Sequence, residues 1–268
     1  MSVDPVRVVV FAEDSAWWAR DVLRALLVEM VRGLWRPPVN LHDAFTFVAD
    51  DEIGVEVHRL SVGCGWKEKH KNATAFVRSL TDLLRTGCVV VIHFDADCLW
   101  SERRRQDENR DNRAKFRRLI YNRLKENPPA ADWHERLLLF VPHDELEAWL
   151  FQNTVAAKAL LHDAKRLDQP VAALLDGWAN DRASLDRAKS PKDLLAVGGL
   201  SLVPLAGNGF PPAEVRALGT SYAKAMARGA SLWPLRRAVL RLVTRARRQA
   251  RQRLGKQPLA QRHPMERP

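Results

Sequence analysis

The sequence predicts an α/β fold: a parallel sheet flanked by helices, followed by a helical C-terminal extension. Three observations predict it. Short apolar runs rich in β-branched residues alternate with helical stretches over the first 150 residues, the pattern of βαβ units. Acidic residues stand where those runs end. Beyond about residue 152 the strand-type runs disappear and short helical stretches remain.

Taken in order, residues 6–12 form a continuous apolar run of strand type. Residues 15–34 read as a helix, closed by Arg36-Pro37-Pro38. Residues 55–62 alternate apolar with polar, as a half-buried strand does. The polar segment GCGWKEKHKN reads as a loop and leads into a helix over 73–85 that stops at Gly87. Residues 88–94 form a second buried strand. A charged loop and helix cover roughly 107–125, ended by Asn127-Pro128-Pro129, and residues 136–141 form the next strand. Asp144 opens another helix. The expected divisions are 1–152 for the α/β part, 153–235 for a helical extension and 236–268 for an arginine-rich tail.

The chain has 268 residues, 46% of them apolar, with nine Trp, enough to bury a sizeable core. No apolar run approaches the roughly 20 residues of a membrane span, and the first residues lack the features of an export signal. Cys64, Cys88 and Cys98 have no C-x-x-C spacing and read as reduced thiols of a cytoplasmic protein. The net charge of +11 is unevenly placed. Residues 215–268 carry 14 Lys/Arg against the single acid Glu266, and the rest of the chain is slightly acidic. Arg236, Arg237, Arg241, Arg245, Arg247, Arg248, Arg251 and Arg253 fall on an expected helix, suited to phosphate contacts on DNA or RNA. A solvated tail, or a helix that docks on an acidic protein, is the plainer alternative.

Glu13 follows the first strand, Asp95-x-Asp97 follows the run CVVVIHF, and Glu147 follows LLLFVPHDEL. Carboxylates at strand ends are how a parallel sheet assembles a divalent-cation site at its C-terminal edge. Asp95 and Asp97 share one face of an extended backbone, so both can approach one hard cation. Glu13 is also what the first turn of a helix favours. For Glu147, a capping box with Asp144 as N-cap is an equally good account, with Glu145 a first-turn acid favoured by the helix dipole. His93 reads as a core histidine, His143 as a neighbour of the Glu147 helix, and Trp17, Trp18, Trp149 and Trp233 as core residues.

FAED, HFDAD and PHDELEAWLF together resemble a Toprim domain, a Rossmann-like metal-binding fold shared by topoisomerases, primases and OLD-type nucleases. With SPKDLL at 190–195, the pattern is more closely similar to the DUF4276 family and the related RloB group. The resemblance covers roughly residues 6–200. It implies a catalytic set of Glu13, Asp95, Asp97, Glu147 and Lys192, of which Glu13, Asp95 and Asp97 bind Mg²⁺ or Mn²⁺; an exposed lysine in the first turn of a helix beginning at Pro191 is the plainer account of Lys192. Asp14 and Cys98 stand where many Toprim domains have glycine. It further implies a nuclease, the effector of a bacterial anti-phage system, partnered by an ABC/SMC-like ATPase encoded nearby. The alternative is a catalytically weak or inactive Toprim-like subunit that scaffolds such an ATPase on nucleic acid. The chain has no G-x-x-x-x-G-K-[ST] loop of its own. Arg103, Arg104 and Arg105, together with Lys67, Lys69 and Lys71 in expected loops, are candidate backbone contacts for nucleic acid near the strand exits.

Overall fold

The computed structural model describes residues 5–13, 18–37, 40–41, 44–49, 66–95, 118, 120–143, 145–188, 190–207, 209–211 and 221–255, with side chains from 74 in the second helix and to 252 in the last. Four parallel strands form one sheet in the order β2-β1-β3-β4: β1 (Val6–Phe11), β2 (Phe45–Phe47), β3 (Val89–His93) and β4 (Leu137–Phe140). Registers pair Val6 with Phe45, Val8 with Val89 and Val90 with Leu137. The expected α/β class with a parallel sheet is the observed one.

Both faces of the sheet are covered, which explains why its strands read as continuous apolar runs. Val8, Val10, Val89, Val91, Leu138 and Phe140 face one core, and Val9, Phe11, Val90, Ile92 and Leu137 face the other. Helix α1 (Ala19–Trp35) covers the first face with Val22, Leu23, Leu26, Leu27, Met30 and Val31, apolar positions at helical spacing. Arg36 ends it in a left-handed conformation (φ 43°). Helix α2 (Trp66–Arg85) covers the second face with Phe76, Leu80 and Leu84, and Ile120 and Leu124 of a helix over 120–126 pack beside it. α2 stops at Gly87, whose φ of +84° suits glycine. There Gly87 N–H donates to the Leu84 carbonyl and Cys88 N–H to the Leu83 carbonyl, a Schellman closure. A Cβ at Gly87 would lie 2.9 Å from Nη1 of Arg136.

Some expectations need correction. α2 begins at Trp66, so Lys67, Lys69 and Lys71 lie in its first turns and not in a loop; Lys and Glu are good helix formers, and a polar composition does not itself signal a loop. The strand beside the start of β1 is Phe45–Phe47, passed over in the sequence because three residues show no period. The expected strand over 55–62 lies outside the described residues.

After β4 come only helices among the described residues: α3 (Leu146–Leu150), α4 (Thr154–Asp163), α5 (Gln169–Asn180), α6 (Arg182–Asp186), α7 (Pro191–Leu194), α8 (Val203–Ala206), α9 (Ser221–Ala230) and α10 (Trp233–Gly255). They share the core of the α1 face through Trp149, Leu161, Leu175, Leu195, Leu205, Tyr222, Met226 and Leu235. Residue 236, where the arginine-rich tail was expected to begin, falls inside α10. That helix buries Leu235, Ala238 and Val239 and packs Leu242 and Val243 against the core. Trp233 is 49% exposed and is not a core residue, whereas Trp149 is fully buried. No described helix is long and apolar enough to cross a membrane.

Candidate active site

The strand order creates the site. The chain passes from β1 outward to β2, then crosses to β3 on the other side of β1. The C-terminal ends of β1 and β3 therefore flank a switch point, the crevice where open α/β sheets bind ligands. Glu13 leaves β1 there, 8% exposed. Asp95 leaves β3, and its backbone N–H donates to Oε2 of Glu13 at 2.5 Å. One charge-assisted hydrogen bond thus ties two strand exits 82 residues apart in sequence, and a bond to a charged acceptor contributes about 1.5–3 kcal/mol.

His93 is fully buried, as a core histidine should be, but it also reaches the site. Its Nε2 lies 3.0 Å from Oδ1 of Asp95. Residues two apart in an extended chain point to the same face, so a histidine at the end of β3 meets the acid that follows the strand. That contact holds the carboxylate in one orientation.

The third contribution comes from α3. Its N-cap is Glu145, in extended conformation (φ −130°, ψ 155°) and with no side-chain capping bond. The helix starts later than the sequence suggested. Asp144 lies outside the described residues, and Glu147 sits in the first turn. Both glutamates are buried, Glu145 at 2% and Glu147 at 5% exposure. Burial, helped by the charge of Asp95 and opposed by Lys192, pushes Glu147 up to about 7. Trp149, on the same short helix, fixes its placement. Its indole N–H donates to Oγ of Ser221 at 2.7 Å, and Ser221 donates through both N–H and Oγ to the buried Asp186.

The cation comes from α7. Ser190, its N-cap, is left-handed (φ 45°), a conformation costing roughly 1–2 kcal/mol for a residue with a side chain. It precedes Pro191 at the first helical position, where proline is accommodated. Lys192 follows, with Nζ 3.4 Å from Oε1 of the buried Glu145. Burial works against its charge, but Glu147, Glu145 and Asp95 outweigh that and raise its pKa. It is therefore more than the exposed first-turn lysine of the plainer reading.

Four of the five expected catalytic residues, Glu13, Asp95, Glu147 and Lys192, are thus brought to one place. Asp97 lies outside the described residues, as do Arg103 and Arg104. Two participants were missed. His93 was read only as core, and Glu145 only as a dipole-favoured acid. On a helix, positions i and i+2 diverge, so Glu145 and Glu147 do not look like partners. They act together because Glu145 precedes the helix in extended backbone. The donors are carboxylate oxygens, the chemistry of Mg²⁺ and Mn²⁺ sites. Among the described residues, however, no three His, Cys, Asp or Glu side chains are grouped as ligands of one ion.

The arginines stand elsewhere. Arg241, Arg245 and Arg248 are exposed on α10. α10 packs against the turn Trp133–Arg136 that leads into β4, at the N-terminal edge of the sheet, opposite the carboxylates. No family model, no curated protein and no solved structure matches this chain.

Proposed function

We propose that the protein is a divalent-metal-dependent phosphodiesterase that cuts DNA or RNA, the nuclease effector of an ATPase-coupled anti-phage system. The observation that carries the reading is an excess of carboxylate, most of it buried, at the switch point. Buried Glu145 and Glu147 lie about Lys192, and half-buried Asp95 joins them to buried Glu13. Buried like charges are costly unless a cation compensates them.

Glu13 and Asp95, with Asp97, are the residues that would hold Mg²⁺ or Mn²⁺, which neutralises a phosphate and activates water. The chain's own groups do the rest. The Glu13–Asp95 bond keeps the two strand exits in register, and His93 keeps the Asp95 carboxylate from turning away. Lys192 stands where it can exchange Glu145 for a phosphate oxygen and stabilise charge developing on phosphorus. Glu147, balanced near neutrality, suits the transfer of a proton to or from its carboxylate at working pH. Exposed Arg241, Arg245 and Arg248 supply contacts to a nucleic-acid backbone.

The test is cutting of DNA and RNA by purified protein with Mg²⁺ or Mn²⁺. Asp95→Asn should lower the rate by about 10²-fold or more with folding intact. Undiminished cutting by the variant overturns the reading. A second reading, an inactive scaffold that holds an ATPase on nucleic acid, is favoured by the position of α10 at the edge opposite the carboxylates. Tight nucleic-acid binding without cutting, even with the ATPase present, selects it. The ATPase itself is expected from the resemblance, and co-purification with the product of a neighbouring gene tests it.

A further inference from the structure

β4 ends the sheet among the described strands. A groove of about 360 Å³ runs beside it, between the helix over 120–126 and α9. One wall is apolar and aromatic, made by Phe94, Tyr121, Leu139 and Val141. The other wall is α9, which offers Lys224 and Arg228, four apart and so on one helical face. We propose that this groove receives the nucleoside adjoining the phosphate held at the carboxylates, with the base on Tyr121 and an anionic oxygen on Lys224. The proposal rests on the phosphodiesterase reading and names the part of the substrate that reading leaves open.

Four observations support it. The groove opens at the strand exits: Phe94 N–H donates to the Phe140 carbonyl at 3.2 Å, and the next residue is Asp95. A ligand in the groove therefore lies beside the carboxylate cluster and along the sheet edge. The Tyr121 ring is held edge-on by Trp133, with ring centres 5.4 Å apart, so it is a fixed surface for a planar group. Arg228 is already engaged by Oγ of Ser231 at 2.9 Å and by the His134 carbonyl, which fixes a positive charge on the wall. Lys224 is exposed and makes no ion pair among the described residues, leaving its ammonium for an incoming anion. A planar apolar group joined to an anion, in a cavity of ligand size, is the chemistry of a nucleotide.

Binding of nucleoside 5′-monophosphates, measured by calorimetry in EDTA, tests this without any metal. The unmodified protein should bind them more tightly than inorganic phosphate. Lys224→Glu, at an exposed position that folding does not need, should weaken binding by about tenfold or more. Tyr121→Leu, which keeps apolar packing on Trp133, should weaken it by about fivefold or more. Lys158→Ala, a surface lysine paired with Asp176 and not lining the groove, should leave it in place. No binding, equal binding of phosphate alone, or binding undiminished in Lys224→Glu overturns the proposal. Metal-dependent cutting by a protein whose groove binds no nucleotide would sink this inference and leave the phosphodiesterase reading standing. Groove binding without cutting would do the reverse.

Discussion

The acids at the ends of β1 and β3 and around the start of α3, and the arginines along α10, are both concentrations of like charge, but the fold treats them in opposite ways. The acids are mostly buried, Asp95 only in part, and tied: Glu13 to the Asp95 backbone, Asp95 to His93, Glu145 to Lys192. The arginines are exposed on a helix whose first half packs through an apolar stripe. Bringing acids together inside a protein raises the energy of the folded state, so such a cluster persists only where surrounding structure enforces it. Exposed arginines cost the fold almost nothing and bind it to nothing. The first arrangement points to chemistry at a fixed place, and the second to adaptable contact with a charged partner.

Variants can break this contrast. The largest effect belongs to Glu147→Gln. The pKa of Glu147 is raised from 4.5 to about 7, so the folded state holds the proton more tightly than the unfolded chain does. On this group's account stability falls as pH rises from about 4.5 to about 7. The neutral variant escapes that fall. At pH 8 it should exceed the unmodified protein by on the order of 3 kcal/mol, and near pH 4 the two should converge, as denaturant melts at both pH values will show. A variant that is less stable at pH 8 would mean that the glutamate is compensated and the acids are not a costly cluster.

Lys192→Met removes the compensating charge. It should drive the Glu147 pKa further up, visible in a carboxyl carbon NMR titration, and lower stability at pH 8 by about 1 kcal/mol, since the lysine is partly solvated. An unmoved Glu147 titration would separate Lys192 from the cluster. The smallest change in stability, within about 0.5 kcal/mol, is expected for Arg241, Arg245 and Arg248 replaced together by Ala. Their effect should appear in binding, where the slope of log affinity against log salt becomes shallower by about 2–3. An unchanged slope would assign the arginines to solvent or to an acidic protein.

Much of the site was legible because it lies where strands end, and the strands were legible from their β-branched runs. Glu13, Asp95 and Glu147 follow from that rule, and Lys192 from its place in SPKDLL. What sequence could not convey was direction. Glu145 joins the cluster because one residue of extended backbone precedes α3, a detail no periodicity records. His93 is both core and site, and a strand that is apolar throughout hides which of its residues reaches past the end. The start of α2 was obscured because lysine-rich turns and lysine-rich loops have the same composition, and β2 because its three residues are too few for alternation to show. α10 was the easier case, since Val239, Leu242 and Val243 stand among the arginines at helical spacing, although Leu240 beside them is 50% exposed.

The distance along the chain between the acids and their lysine has a consequence for biosynthesis. Chains emerge N-terminus first, and a domain can begin to fold as it emerges. The strands bearing Glu13 and Asp95, and the helix bearing Glu147, leave the ribosome before Ser190 and Lys192 exist. A nascent or prematurely terminated chain would hold the carboxylates without the ammonium that answers them. The left-handed turn at Ser190 thus delivers the last part of the cluster, and completion of the site reports that translation has passed it.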